Sequence, residues 1–305
     1  MLRYILEASF RKIKLHALVL AIVSLIVLLS IGSSAILPYF FIHVFSLGIA
    51  HGALDRWMFN IANPDAQIKK SAFYGSYLIV NACIAILWLV SESLALIFFI
   101  IYSAWHFGEV EWAHIFSKRS WLIKVYTTVW GLFLFGSMFL LNAEETIMVV
   151  NRTSALDVSI PEITSGYYYS ITVSWIFISS LPVLLKWTDK KNFLIQIVNV
   201  ACLSLIFHVF DLAVSFAVFF FYFHSLPSLA FELKAIDNKV VQPINYKELI
   251  QEVLILSAAP VVGAVIFIFL FEKNFIEIGL PLLVVIGSAI SFPHTVIYTR
   301  VVNKA

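Results

Sequence analysis

Long apolar runs separated by short polar segments dominate this sequence of 305 residues. Most runs reach about 18 residues or more, the length at which an α-helix can cross a hydrocarbon core, whereas a membrane β-barrel would alternate over segments of about ten. No long polar stretch divides the runs, so we expect one integral-membrane domain over residues 1–305. The pattern predicts an all-α polytopic transmembrane bundle of about ten helices. They lie near residues 15–37, 39–60, 72–91, 94–116, 120–142, 166–186, 192–210, 212–231, 249–271 and 275–299.

Composition agrees with this pattern, because 61% of the residues are hydrophobic and only 12% are charged. Soluble domains carry about 25% charged residues. The net charge of +2 gives no reason to expect a nucleic-acid partner, and membrane lipids are the expected surroundings. Both cysteines, Cys83 and Cys202, fall in apolar runs, where packing is the expected role.

The distribution of basic residues predicts the orientation of the bundle. If the N-terminus is cytoplasmic, the cytoplasmic segments carry seventeen of the 20 Lys and Arg residues, and the outer segments carry only Arg152 and Lys273. Arg56 is left near the inner end of the second span. Such an asymmetry is what the positive-inside rule requires. We therefore expect both termini in the cytoplasm.

Four histidines interrupt the apolar runs, in the contexts GIAHGALD, SAWHFGEVEW, FYFHSLPSLAFE and SFPHTVIY. His51, His106 and His224 each fall midway along an even-numbered span, and His294 lies within about two turns of that depth. Imidazoles converging from separate helices are a common way to build a metal centre in a bundle. The spacing predicts a metal site; the alternative is that each imidazole only hydrogen-bonds a neighbouring helix.

Asp55 follows His51 by four residues, so both lie on one face of a helix. A carboxylate that accepts the second ring N–H of a ligating histidine fixes its tautomer and orientation. Asp55 is therefore a candidate for that supporting role. The alternative is an ion pair with Arg56 or Lys70 at the cytoplasmic boundary.

Two further acids, Glu109 and Glu111, follow His106 by three and five residues. Both are candidates for the same supporting role beside a metal ligand. For Glu111, a position at the membrane interface is an equal alternative.

The chain also contains 28 Phe and 12 Tyr, and FFFYF at 219–223 runs directly into His224. Aromatic side chains could line a tunnel for a long polyene, although most Phe side chains in a bundle face lipid or pack helices. Phe107, Tyr222 and Phe223 are the candidate substrate contacts.

The segments GIAHGALD, WHFGEVE, HSLPS and PHTVIY, in this order, resemble the Brp/Blh family of membrane β-carotene 15,15′-dioxygenases. The resemblance covers about residues 46 to 300. It implies that His51, His106 and His224 bind a non-haem iron, and that Asp55 and Glu111 match acidic positions of the family.

The sequence departs from the family pattern at two places. Ser228 stands where the family has the second histidine of an H-S-x-x-H block, its fourth ligand, and His294 is a candidate to replace it. Tyr298 and Thr299 occupy the region where an acidic residue often follows the late P-H block.

The resemblance implies an enzyme that uses Fe(II) and O₂ to cleave β-carotene or a related carotenoid to retinal. It also implies a prokaryotic inner-membrane location and a functional link to a microbial rhodopsin. Zinc is the chemical competitor for a three-histidine site. The alternatives are another metal-dependent membrane oxygenase acting on an isoprenoid or lipid, a non-catalytic carotenoid- or retinal-binding protein, and a transporter.

Overall fold

The computed structural model describes residues 8–46, 52–64, 68–112, 115–116, 120–159, 165–239, 246–271 and 274–304; most of these residues lie in helices and none lies in a β-strand. This confirms the predicted all-α fold class. The α-helices are α1 Phe10–Ile31, α2 Ile36–Phe45, α3 Asp55–Ala62, α4 Lys70–Val90, α5 Glu92–Trp112, α6 Trp121–Leu141, α7 Ala143–Thr153, α8 Ser165–Leu184, α9 Lys190–Val209, α10 Leu212–Val218, α11 Leu226–Lys239, α12 Tyr246–Phe271 and α13 Leu280–Lys304. Short 3₁₀ turns cover Ser33–Ala35 and Gly52–Leu54, and π-helical segments cover Phe219–Ser225 and Phe275–Gly279.

Eight helical segments of the described chain are long and apolar enough to cross a membrane, and they coincide with eight of the ten predicted spans. The other two predicted spans coincide with shorter apolar helices, Ile36–Phe45 and Tyr169–Leu184. These helices are those of an integral membrane protein.

The second predicted span, 39–60, is wrong as one continuous helix. Helix α2 ends at Phe45, because Ser46 has a non-helical backbone, and the described chain resumes in the 3₁₀ turn at Gly52. A new helix, α3, then begins at Asp55, whose carboxylate lies in the first turn, where the helix dipole favours negative charge.

The eighth predicted span is longer than expected and is not a regular α-helix. Helix α10, the π-helical segment Phe219–Ser225 and helix α11 follow one another without a break, and the helical path runs to Lys239. His224 lies inside the π-helical segment. π-helical turns are rare and occur frequently at functional sites.

Helices α5 and α6 pack closely against each other through two glycines. A Cβ atom at Gly108 would lie 1.8 Å from the carbonyl oxygen of Thr127, and a Cβ atom at Gly131 would lie 1.9 Å from that of Ala104. Small residues allow such approaches between membrane helices. The glycine of the HFG sequence therefore has a packing role, and it holds His106 at a fixed distance from α6.

The helices differ widely in how much of them is buried. In the membrane-spanning window of α5, 56% of the residues are buried, and in that of the α10–α11 segment 72% are. The corresponding values are 17% for α4 and 13% for α12. Helices α5, α10 and α11 therefore form the centre of the bundle, and α4 and α12 lie at its lipid-facing periphery.

Candidate metal centre and substrate cavity

Three histidines from three separate helical segments meet at the centre of the bundle. The ring centroid of His106 is 5.0 Å from that of His224 and 5.1 Å from that of His294. The three residues are 3%, 1% and 5% exposed. Helix α5, the π-helical segment and helix α13 supply one imidazole each, so this cluster depends on the tertiary fold.

Three of the four candidate histidines, His106, His224 and His294, lie in this cluster. His294, which the sequence places nearer the cytoplasm, contacts His106 as closely as His224 does. His51 lies outside the described residues. Among the described residues alone, no group of three or more His, Cys, Asp or Glu side chains is arranged to hold a metal ion.

Asp55 contacts the cluster through His294. Its Oδ1 atom lies 2.6 Å from Nδ1 of His294, and its Oδ2 atom accepts a hydrogen bond of 2.9 Å from the hydroxyl of Tyr77. Asp55 is 3% exposed. The carboxylate thus orients an imidazole as expected, but the imidazole in these contacts is His294, which comes from α13.

The boundary ion pair considered for Asp55 is formed by another acid. Arg56 donates to both carboxylate oxygens of Glu252, at 2.8 and 2.6 Å, and Lys70 is paired with the same carboxylate. The side chain of Asp55 points to the histidines and that of Arg56 to α12. Hydrogen bonding to Glu252 raises the pKa of Arg56, which keeps its charge.

The two glutamates of α5 have partners on different helices. Glu109 accepts a hydrogen bond from the hydroxyl of Thr299 on α13. Glu111 forms a buried ion pair of 2.6 Å with Lys14 on α1 and accepts a hydrogen bond from Gln196 on α9. The position of Glu111 at a lipid interface is therefore wrong, because this carboxylate is 2% exposed and joins three helices.

A buried acid near the cluster, Glu232, was not found by sequence reasoning. It follows His224 by eight residues and Ser228 by four, so it lies on the same face of α11. Ser228 and Glu232 are both 0% exposed. Within the described residues the carboxylate of Glu232 has no hydrogen-bond partner, and it lies close enough to Asp55 for the two groups to interact. The sequence FHSLPSLAFE indicates this position, because His224, Ser228 and Glu232 are polar and follow one another at intervals of four residues.

An apolar cavity of about 570 Å³ lies beside the histidines, within the usual size range of ligand pockets. His106, His224 and His294 line it. Of the predicted substrate contacts, Phe107 lines the cavity, whereas Tyr222 and Phe223 are not among its described lining residues. Tyr222 hydrogen-bonds His43 instead.

Phe216 and Phe220 take the place of the two aromatic residues that were wrongly expected in the cavity wall. They precede His224 by eight and four residues, so they lie on the same side of the helical segment as the imidazole. Tyr222 and Phe223 are two residues and one residue from His224 and point elsewhere.

The donor type of this cluster suits a divalent iron or zinc ion. Imidazole nitrogen is a preferred donor for both metals, and His224 and His294 each lie about 5 Å from His106 between ring centroids. Asp55 provides the hydrogen bond to the second nitrogen that such ligands usually have.

Comparison with known proteins gives one match. The family model described as beta-carotene 15,15′-dioxygenase matches residues 42–301, which include all four histidines. Neither the search of curated proteins nor the search of solved structures found a significant match.

Proposed function

The chain belongs to the beta-carotene 15,15′-dioxygenase family, and from this premise we propose that it cleaves the central double bond of β-carotene, or of a related carotenoid, with O₂ to give retinal. The proposed cofactor is Fe(II), held by His51, His106, His224 and His294. In this arrangement His294 takes the place that Ser228 leaves without an imidazole.

One observation carries the proposal beyond family membership: the ring centroids of His224 and His294 each lie about 5 Å from that of His106, beside an apolar cavity. Burying an ionisable side chain in the bilayer core costs free energy, and such residues usually mark functional sites. A metal-free role in helix packing would not require the rings to converge at the wall of a cavity.

The residues around the cluster orient the ring of His294. Nδ1 of this ring lies 2.6 Å from Oδ1 of Asp55, so the carboxylate orients the imidazole and Nε2 is the nitrogen proposed to bind the metal. Tyr77 donates to the other oxygen of the same carboxylate, so the carboxylate itself is held in place.

The chemistry required of the remaining residues is modest. When bound, an iron(II) ion with an open coordination position supplies the O₂ site. Conversion of one C=C bond and O₂ into two aldehydes takes up no proton overall, so the site needs no general acid or base for that balance. What it needs is a dry cavity that orients the polyene, and Phe107, Phe216 and Phe220 provide apolar walls beside His224.

The proposal includes the setting of the enzyme. Its substrate and its lipophilic product both dissolve in the bilayer, which suits an integral membrane protein with both termini cytoplasmic in a prokaryotic inner membrane. A microbial rhodopsin that consumes the retinal is the proposed functional partner.

Coexpression in cells that accumulate β-carotene tests the proposal. We expect the cells to lose orange colour and to form retinal, measured by chromatography of extracts, and we expect the His224→Ala variant to form none. His208→Ala, on α9, is the matched control and should behave as the wild type. Unchanged β-carotene and no retinal with well-expressed wild-type protein would contradict the proposal.

A further inference from the structure

The cavity beside the histidines is not enclosed on all sides. Leu78 of α4 lines it and is nevertheless 66% exposed. Ile286 and Ile290 of α13 also line it and are 42% and 47% exposed. Side chains that face both a cavity and the outer surface mark an opening. In a membrane bundle this surface faces lipid.

Helix α12 borders this opening on the other side. Leu256 is the α12 residue among the described lining residues, and only 13% of the membrane-spanning window of α12 is buried. One turn earlier, Glu252 ties α12 to the bundle through Arg56 and Tyr74. We call the opening defined by Leu78, Leu256, Ile286 and Ile290 the lateral opening. On α12 it begins one turn after the contacts of Glu252.

One end of the lateral opening, at Leu78 and Ile290, lies within about one helical turn of the depth of the histidines. Tyr77, the residue before Leu78, donates to Asp55 and approaches the carbonyl oxygen of Ile290 at 3.3 Å. Asp55 in turn contacts His294. A molecule entering between α4, α12 and α13 at this end therefore lies within about one helical turn of the depth of the imidazoles.

Along α5 the cavity ends inside the protein. Helix α5 lines it from His106 back to Leu96, about 15 Å along the helix axis at ~1.5 Å per residue. At that end Met138 and Val149 line it, and they are 1% and 7% exposed. This closed arm, defined by Leu96, Met138 and Val149, is comparable in length with one extended half of a C40 polyene.

We propose that a long apolar polyene enters from the bilayer through the lateral opening and is cleaved with one half in the closed arm and the other half in the opening. This inference rests on the proposed function for the identity of the substrate. The central double bond would then lie beside His106, between the two halves.

The physical advantage of this route is that the polyene never crosses water. Transfer of apolar surface into water would cost about 25 cal/mol per Å², so a lateral path avoids a barrier that grows with substrate length. Only the half in the closed arm must exchange lipid contacts for protein contacts.

Two neighbouring residues of α4 provide a matched test. Leu78 and Ile79 are 66% and 67% exposed, and only Leu78 is among the described residues that line the cavity. Full-length Leu78→Trp and Ile79→Trp proteins are mixed, without O₂, with phosphatidylcholine vesicles that contain β-carotene. The protein is then captured and its pigment extracted. We expect Leu78→Trp to take up pigment about tenfold more slowly than Ile79→Trp.

Admission of O₂ then separates access from chemistry. Pigment already bound should be cleaved at the same single-turnover rate in both variants. Equal uptake by both variants, with retinal formed, would overturn the lateral opening and leave the proposed function standing. No pigment uptake and no cleavage by the wild type would overturn the proposed function and this inference with it.

A second pair of variants, on α13, tests the opening independently of any local folding defect at Leu78. Ile290 lines the cavity, whereas Leu282, on the same helix and 37% exposed, is not among its described lining residues. Ile290→Trp should slow pigment uptake and Leu282→Trp should not. The same uptake rate in Ile290→Trp as in Leu282→Trp would count against the opening as strongly as equal rates in the first pair.

Discussion

Helices α5 and α12 are both long enough to cross a membrane, yet they contribute to this protein in different ways. In the membrane-spanning window of α5 56% of the residues are buried, against 13% for α12. Helix α5 carries a histidine and two glutamates in its buried half, whereas the apolar part of α12 faces outward. Because lipid is as apolar as a protein core, a peripheral helix can be stable without being covered.

The difference shows where chemistry can be placed in a membrane bundle. Polar side chains need partners that only other helices can provide, so they collect on the helices with the most neighbours. His106, His224 and Glu232 all lie on the two most buried segments, α5 and the α10–α11 path. The peripheral helix α4 contributes Tyr77, which reaches inward to Asp55.

The largest expected effect is loss of activity when the buried helices lose an imidazole. His106→Ala and His224→Ala should each abolish retinal formation, because each removes a proposed ligand. His16→Ala, on α1, should leave retinal formation unchanged. Substantial retinal formation by His106→Ala would show that the centre of the bundle is not the reactive site.

A glycine pair compares the packing of the two regions directly. Gly108→Ala should lower the free energy of unfolding by about 1–3 kcal/mol or more, because its Cβ would meet the Thr127 carbonyl oxygen at 1.8 Å. Gly75→Ala, on peripheral α4, meets nothing within 4 Å and should change it little. Thermal unfolding in detergent measures both. Equal stability of the two variants would contradict the close packing of α5 on α6.

Asp55→Asn should weaken metal retention by roughly 10–100-fold, because Asp55 accepts the second ring N–H of His294. Tyr77→Phe should have a smaller effect of the same sign, because it removes only the contact from α4 to that carboxylate. Metal content after dialysis against a chelator measures both. Unchanged retention in Asp55→Asn would show that the contact with His294 has only a structural role.

The smallest expected effect lies outside the candidate spans, at Glu145 on α7. Burial raises the pKa of its carboxyl, although a hydrogen bond from the backbone N–H of Leu212 opposes this rise. A raised pKa in the folded state favours the neutral acid, so this contribution to stability is present at low pH. It is lost as the pH rises through the pKa of the folded state.

Glu145→Gln keeps an oxygen to accept from Leu212 and cannot ionise. We expect the decrease of melting temperature with rising pH to be shallower in this variant than in the wild type. Parallel pH profiles of the two proteins would show that Glu145 does not titrate in the way its burial indicates.

The lengths of the apolar runs predicted most of the fold. A helix that crosses the membrane satisfies its backbone hydrogen bonds internally, so each span is one apolar run whose ends can be read in the sequence. Eight predicted spans coincide with helices. The second span was not predicted correctly, because the apolar run continues past Phe45 while the backbone leaves the helix at Ser46. Hydropathy does not detect such a break.

The site was predictable in part, for a different reason. The depth of a residue can be counted along a helix, so the convergence of His106 with His224 was accessible from the sequence. The contact of Asp55 with His294 joins residues 239 positions apart and depends on how α3 and α13 pack. Helical spacing alone cannot supply that information.

The metal content of the purified protein tests the central claim most directly. Protein made in iron-supplemented cells and purified without O₂ should retain about one iron per chain. X-ray absorption should show nitrogen or oxygen ligands at about 2.0–2.2 Å from the metal. The iron should be lost in His106→Ala, His224→Ala and His294→Ala but kept in His208→Ala. Wild-type protein that retains no metal, or iron that survives removal of each clustered histidine, would contradict the account.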